Sequence, residues 1–135
     1  LIAFCVERDG LRVYGLDRVR ELRTTGRGFK MEKGFDVDEL FATSFGIYLP
    51  GSKACTITFR VPEKEARFLR DLPLHRSQEE IESKDGYVTF SIFVCPDKNM
   101  IMEFCRYGRS LEVLSPADVR KDIATELRAA AEIYR

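Results

Sequence analysis

Residues Ala54–Leu72 read ACTITFRVPEKEARFLRDL. The first eight alternate around β-branched and aromatic side chains, the period-2 pattern of a strand with one buried face. Pro62 ends that pattern, and Ala66, Phe68 and Leu69 take up helical spacing behind it. The spacing predicts a helix from Pro62 to Leu72 with proline in its first turn. Toward the C-terminus, His75–Glu82 reads as a polar edge strand, Asp85-Gly86 as a tight turn and Tyr87–Cys95 as a strongly β-prone strand. Asp97 caps a helix to about Tyr107, with Met100, Ile101, Phe104 and Cys105 on its inner side and Gly108 as its stop. Leu111–Leu114 is a short strand. Ser115-Pro116 with Asp118 then opens a last helix, whose stripe of Val119, Ile123, Leu127, Ala131 and Tyr134 keeps helical spacing to the end.

Strand, helix, strand, strand, helix, strand is the ferredoxin-like order, an antiparallel sheet with helices on one face. The expected class is therefore α+β, with a ferredoxin-like βαββαβ domain and a C-terminal helix over residues 54–135. Upstream, YLPGSK (48–53) reads as a linker, because Pro-Gly-Ser continues neither a helix nor a strand. Before it, Asp36 and Glu39 stand at capping-box spacing ahead of a short helix striped by Val37, Leu40 and Phe41, with Gly46 as its stop. Leu1–Val6 reads as a buried strand and Arg8-Asp9-Gly10 as a hairpin turn. A second strand follows from Leu11 to Leu16, with room to run past Asp17 to Arg23, and Thr24–Gly34 is a loop rich in glycine and base. Some 45 residues are too few for a closed barrel, so residues 1–47 are expected to be the back part of a small β domain. The chain opens on Leu1 directly in a strand-like run, which points to a piece of something longer. There is no internal repeat and no low-complexity tract.

Composition narrows the chemistry. With 135 residues, 44% hydrophobic and 33% charged, the chain has the profile of one compact domain or two small ones. Lys+Arg is 22 and Asp+Glu is 22, so no global field draws the chain toward nucleic acid or membrane. No apolar run approaches the roughly 18 residues of a membrane span, and no signal peptide precedes the first strand. His75 is the single histidine, which excludes centres that need two. Cys5, Cys55, Cys95 and Cys105 form no CxxC pair and each lies in an apolar stretch, as free buried thiols of a reducing cytosol do. No metal site and no cofactor are expected.

The segment with most chemistry is LRVYGLDRVR, Leu11–Arg20. In a continuous strand Arg12, Tyr14, Leu16, Arg18 and Arg20 share one face. Such a row suits an anionic, stackable ligand, since arginine forks onto phosphate and a ring supports a base. The same row also suits an edge strand protected by charge, with Arg18 paired to Asp17 or Glu21. Between Arg18 and Lys33 six bases face two acids, a local +4 on a neutral chain, and arginine outnumbers lysine 15 to 7 overall. That excess fits either a phosphate-binding surface or a solvated loop. Gly26-Arg27-Gly28 is not a P-loop, because no GKS or GKT follows. Asp36, Asp38 and Glu39 lack calcium-loop spacing and read as helix capping. Glu79, Glu80 and Glu82 read as a solvated edge; His75-Arg76 at a strand start suits either a ligand contact or the more common structural role of a lone histidine. No serine or cysteine has an evident base beside it, so catalysis is not expected.

Residues Leu1 to Val19 resemble the WYL-domain family of bacterial transcriptional regulators. The family motif is a Trp-Tyr-Leu strand, a turn, and a strand of the form L-R-x-[FY]-x-L-D-R-[IV]; Leu11-Arg12-Val13-Tyr14-Gly15-Leu16-Asp17-Arg18-Val19 fits each marked position, with Leu1 as the Leu of the triplet. FDVDELFATSFGIY (35–48) resembles the helix that leads out of the family's barrel, and YGRSLEVLSPADVRKDI (107–123) is similar to its C-terminal extension, the WCX domain. The resemblance implies a partial SH3-like or Sm-like barrel (1–47), a linker (48–53) and a WCX-type domain (54–135). It implies an effector-sensing region in the cytoplasm, usually dimeric, attached to a helix-turn-helix that reads operator DNA and is absent here. It further implies single-stranded nucleic acid or a nucleotide-like anion as the ligand of Arg12, Tyr14 and Arg18. Arg20, Arg23 and Arg60 are expected to assist, and Asp17 to orient Arg18. The competing expectation is a dimerisation module whose arginines make protein contacts only.

Overall fold

The computed structural model describes residues 1–31, 33–47 and 49–135; Glu32, one of the two acids counted in the basic stretch, and Tyr48, the first residue of the expected linker, lie outside them. Strand β1 (Ile2–Cys5) pairs antiparallel with β2 (Gly10–Val13), joined through a 3-10 turn at Val6–Arg8. A four-residue helix, α1 (Val37–Leu40), follows a long irregular stretch. The remaining elements are β3 (Cys55–Pro62), α2 (Glu63–Asp71), β4 (Glu79–Lys84), β5 (Tyr87–Val94), α3 (Lys98–Arg106), β6 (Glu112–Ser115) and α4 (Ala117–Glu132). They give an α+β architecture whose second sheet runs β4-β5-β3-β6, with every neighbouring pair antiparallel.

Strand alternation builds the core. Ile57, Phe59 and Val61 of β3 and Val88, Phe90, Ile92 and Val94 of β5 are essentially fully buried and belong to one apolar cluster. Ala66 and Leu69 of α2, Met100 and Phe104 of α3, and Val119 and Ile123 of α4 close over them. Phe59 stacks on Phe90 with centroids 5.8 Å apart and meets Phe104 edge-on at 5.2 Å. By strand parity Thr56, Thr58, Arg60, Tyr87, Thr89 and Ser91 point to the other face of the sheet, away from the helices.

Several expected boundaries move, each for a local reason. Pro62 closes β3 opposite Tyr87 instead of opening α2, and the Glu63 amide turns to the Gly86 carbonyl at 3.0 Å. A proline is tolerated at a strand's end, where a ladder donor is dispensable. The edge strand starts at Glu79 and not at His75, because Gln78 uses its side chain to finish α2. Its Nε2 donates to the Leu69 carbonyl at 2.7 Å and its Oε1 accepts from the Leu74 amide at 3.0 Å. Asp36 does cap α1, its Oδ1 accepting from the Asp38 and Glu39 amides, but the helix ends at Leu40 and not near Gly46. Asp97 caps α3 through the Met100 amide at 2.9 Å. On α4 the Asp118 carboxylate takes only the adjacent Val119 amide, and the apolar stripe is covered as far as Leu127. Beyond it Ala131 and Tyr134 are exposed.

The largest change is in the N-terminal hairpin. The second strand stops at Val13, extended by one further bond from the Tyr14 amide to the Leu1 carbonyl. Leu16–Arg18 then forms a 3-10 turn, with the Arg18 amide on the Gly15 carbonyl and the Val19 amide on the Leu16 carbonyl. No strand runs on to Arg23, so the single alternating row from Arg12 to Arg20 does not form. Two-residue periodicity ends where Gly15 and Asp17 favour a turn, glycine leaving the Asp17 carboxylate room to lie close to its Cα.

Candidate functional site

The hairpin and its trailing turn hold most of the expected ligand residues. Tyr14, Arg18 and Arg20 line one open cleft of about 550 Å³, floored by Leu1, Val13 and Val19. Tyr14 reaches it from the end of β2, while Arg18 and Arg20 arrive by way of the 3-10 turn. Arg12, registered opposite Ala3, is not among the cleft's lining residues. The Tyr14 phenol is pushed up chiefly by its contact with Cys5, and the charges of Arg12 and Arg8 oppose that rise only in part. Arg8 is thus a basic neighbour that the motif reading passed over; its place in the hairpin turn, one residue before Asp9-Gly10, was the available signal. Arg23 lies in the irregular stretch beyond the cleft, fully exposed.

Asp17 stands 3.8 Å from the Arg18 Nε, with both side chains more than three-quarters exposed. A pair so hydrated contributes little to stability, and it leaves the Arg18 guanidinium open to another anion. Cys5 shares this neighbourhood. The Tyr14 hydroxyl beside it, then the Arg8 backbone, holds its thiol below the ordinary cysteine value, and the Tyr14 phenol rises in response. Burial acts the other way on Cys55 and Cys105, whose thiols are pushed up. All four cysteines are free; Cys95 is buried and the other three are half-buried, short of full burial.

Arg60 occupies a different setting. It projects from β3 onto the helix-free face, its Nη2 2.7 Å from the Glu112 carboxylate and its guanidinium over the Tyr87 ring at 5.1 Å. Arg120 of α4 takes the other Glu112 oxygen at 2.8 Å. The two guanidinium groups hold the Glu112 carboxyl below its ordinary value, Arg120 more strongly. The partners found for Arg60, Glu112 and Tyr87, belong to the four-stranded sheet and none to the hairpin. A second network ties α2 to the sheet edge, with Arg70 bridging Glu63 and Glu80 at 2.7 and 2.8 Å. Neither network was visible from spacing, because each joins different elements, α2 to β4 in one and β3 to β6 and α4 in the other.

The stretch between hairpin and sheet is attached to the sheet. Phe45 is only 8% exposed and packs edge-on against Phe104 at 6.4 Å. The Cys95 amide donates to the Thr43 carbonyl at 2.8 Å, and the Cys95 thiol donates to the Ser52 carbonyl at 3.0 Å. Arg76 Nη2 donates to the Asp38 carbonyl at 2.9 Å. His75, paired through Nδ1 with the Ser77 hydroxyl at 2.7 Å, is pushed down by burial and by Arg76. Among the described residues no His, Cys, Asp and Glu side chains gather as a metal site, and no helix is long and apolar enough to cross a membrane.

An α+β domain with helices layered on one antiparallel sheet, preceded by a hairpin and a basic irregular stretch, is the class the architecture defines. Residues 53–131 match the family model of the WCX domain. The chain belongs to the WCX-domain family, the C-terminal extension of the WYL-type regulators that the sequence resembles. No curated protein matches the sequence. Among solved structures, the proteasome accessory factor B/C (PafBC) of Arthrobacter aurescens is similar in fold over 97% of this chain, with a TM-score of 0.50 and 19% sequence identity. The chain spans 20% of the length of that protein.

Proposed function

We propose that this chain is the effector-sensing part of a cytoplasmic, dimeric WYL-type transcriptional regulator, without catalysis of its own. In this reading residues 1–47 belong to a partial SH3-like or Sm-like barrel, 48–53 to a linker and 54–135 to a ferredoxin-like WCX domain. The four-stranded antiparallel order supports the last of these. A helix-turn-helix elsewhere in the regulator reads operator DNA, and the ligand is single-stranded nucleic acid or a nucleotide-like anion. The observation that carries the reading is the convergence of Tyr14, Arg18 and Arg20 on one open cleft with an apolar floor. Arginine forks meet phosphate there while a ring and aliphatic side chains meet a base. Arg12 and Arg23 add charge from outside the cleft, Arg60 assists from the sheet, and Asp17 orients Arg18.

The test is fluorescence anisotropy of labelled single-stranded DNA against the purified chain at several salt concentrations. Affinity should fall steeply with salt, with a log–log slope of roughly −0.7 per neutralised phosphate. Arg12→Ala with Arg18→Ala should weaken binding at least about tenfold and flatten the slope by roughly 1.4. Unaltered binding by the double variant sinks the site. The rival reading, a dimerisation module, draws on the exposure of Phe4 (57%), Val6 (85%) and Leu16 (72%) on the hairpin. Concentration-dependent sedimentation that ignores added oligonucleotide would favour it.

A further inference from the structure

The basic residues and the joint of the molecule coincide. Pro50-Gly51 lies inside a strap that is bound to the sheet on both sides. Asp38, Thr43 and Phe45 anchor it upstream through Arg76, Cys95 and Phe104, and Ser52 anchors it downstream through the Cys95 thiol. A turn pinned within a few residues on either side cannot act as a pivot. The stretch from Arg20 to Gly34 has the opposite character. Its described residues are all exposed, carry no helix or strand, and make one local hydrogen bond, from the Arg27 amide to the Thr25 hydroxyl at 3.3 Å. Gly26 and Gly34 take φ of +69° and +83° with open space around them. Segments with exposed backbone and no buried contacts open at little cost in free energy. Arg18, Arg20, Arg23, Arg27, Lys30 and Lys33 all fall just before or within this stretch, against Glu21 and Glu32.

We propose that the joint between the hairpin and the four-stranded sheet is this basic stretch, and that a polyanion bound to it stiffens the joint. The proposal rests on the anionic-ligand reading above and adds how ligand is sensed. Like charges along an unstructured segment repel and keep it extended. A string of phosphates neutralises them and holds successive arginines and lysines at fixed spacing. The hairpin then loses its freedom relative to the sheet, and the bound state is distinguished by a stiffer connection as much as by a filled cleft. The strap stays as it is, because its anchors lie on the sheet side of the joint.

Hydrogen exchange read by mass spectrometry on the full chain tests both halves, with an oligothymidine of about 15 nucleotides as probe and anisotropy run in parallel. Without probe, peptides reporting on the strap through the Ser44 and Cys95 amides, bonded to the Phe41 and Thr43 carbonyls, should exchange at least about tenfold more slowly than peptides covering Arg20–Gly34. With saturating probe, the Arg20–Gly34 peptides should slow at least about fivefold while the strap peptides stay unchanged. A second variant, Arg23→Ser with Arg27→Ser and Lys30→Ser, touches no core residue and should abolish that slowing. Rapid exchange of the Cys95 amide, which donates to the Thr43 carbonyl of the strap, overturns the placement of the joint whatever the probe does. Binding by anisotropy without slowing of Arg20–Gly34 overturns the stiffening but spares the cleft. Absence of binding overturns the stiffening and the anionic-ligand reading together.

Discussion

Replacing Phe45 by alanine should destabilise the full chain by about 3 kcal/mol. Phe45 is 8% exposed and meets the Phe104 ring at 6.4 Å and 83°. Burying such a side chain removes on the order of 150 Å² of apolar surface from water, or about 4 kcal/mol at roughly 25 cal/mol per Å². Residual compactness of the unfolded chain and the retained Cβ reduce this by about 2 kcal/mol. Loss of the edge-to-face pair restores about 1 kcal/mol. Urea unfolding followed by far-ultraviolet circular dichroism should show the midpoint falling with the slope unchanged, and the melting temperature should drop about 12 °C. Phe59→Ala, at a site with no exposure, provides the upper reference at about 4 kcal/mol. Leu22→Ala, at a site 87% exposed, provides the lower one, within about 0.5 kcal/mol of the parent. If Phe45→Ala shifts the midpoint no more than Leu22→Ala, the strap does not share the core, and the placement of the joint falls with it.

Other outcomes follow from single side chains. Glu112, held below the ordinary glutamate value by Arg120 and Arg60, contributes stability that is complete above that value and is lost as pH falls through the depressed one. Between about pH 6 and 3, Glu112→Gln should therefore lose less stability than the parent; parallel urea midpoints would remove the network from the account. Cys5, its thiol lowered chiefly by Tyr14, should be alkylated by iodoacetamide before the other three cysteines, and buried Cys95 last. Tyr14→Phe should slow Cys5 specifically, as peptide mass spectrometry reads it. Gln78→Ala leaves the Leu69 carbonyl and Leu74 amide without their partner and should cost about 2 kcal/mol in thermal unfolding. A melt unchanged by that substitution would show that water replaces the amide freely.

What was legible in the sequence is what local rules dictate. The alternation of Ala54–Val61 and Tyr87–Cys95 locates β3 and β5 to within a residue, because one buried face forces period two. Asp36 and Asp97 were readable as caps because capping is a contact between near neighbours. The hairpin's second strand is shorter than its pattern implies, because arginines alternate through Arg20 while the backbone already turns at Gly15. Phe45 was not legible as core: it follows a helix of four residues and precedes Gly46, and its partner Phe104 lies 59 positions away. The candidate site was half legible. Residue types in the motif pointed to Tyr14 and Arg18, but which arginines enter the cleft depends on the 3-10 turn, and Arg60's commitment to Glu112 depends on strand register.

The acidic edge of the sheet carries one more consequence. Strand β4 is the outermost strand, fully exposed, and displays Glu79, Glu80 and Glu82 with a bulge between the last two. A free backbone edge so charged and kinked repels an approaching strand, so the sheet is guarded against growth by stacking of further copies. At the opposite edge β6 is four residues long and its pairing with β3 is itself irregular. The hairpin has no such guard: Phe4 and Val6 stand in the open on a two-stranded ribbon. Self-clumping in concentrated solution should therefore begin at the hairpin, and Val6→Lys should raise the solubility limit where Glu82→Val lowers it.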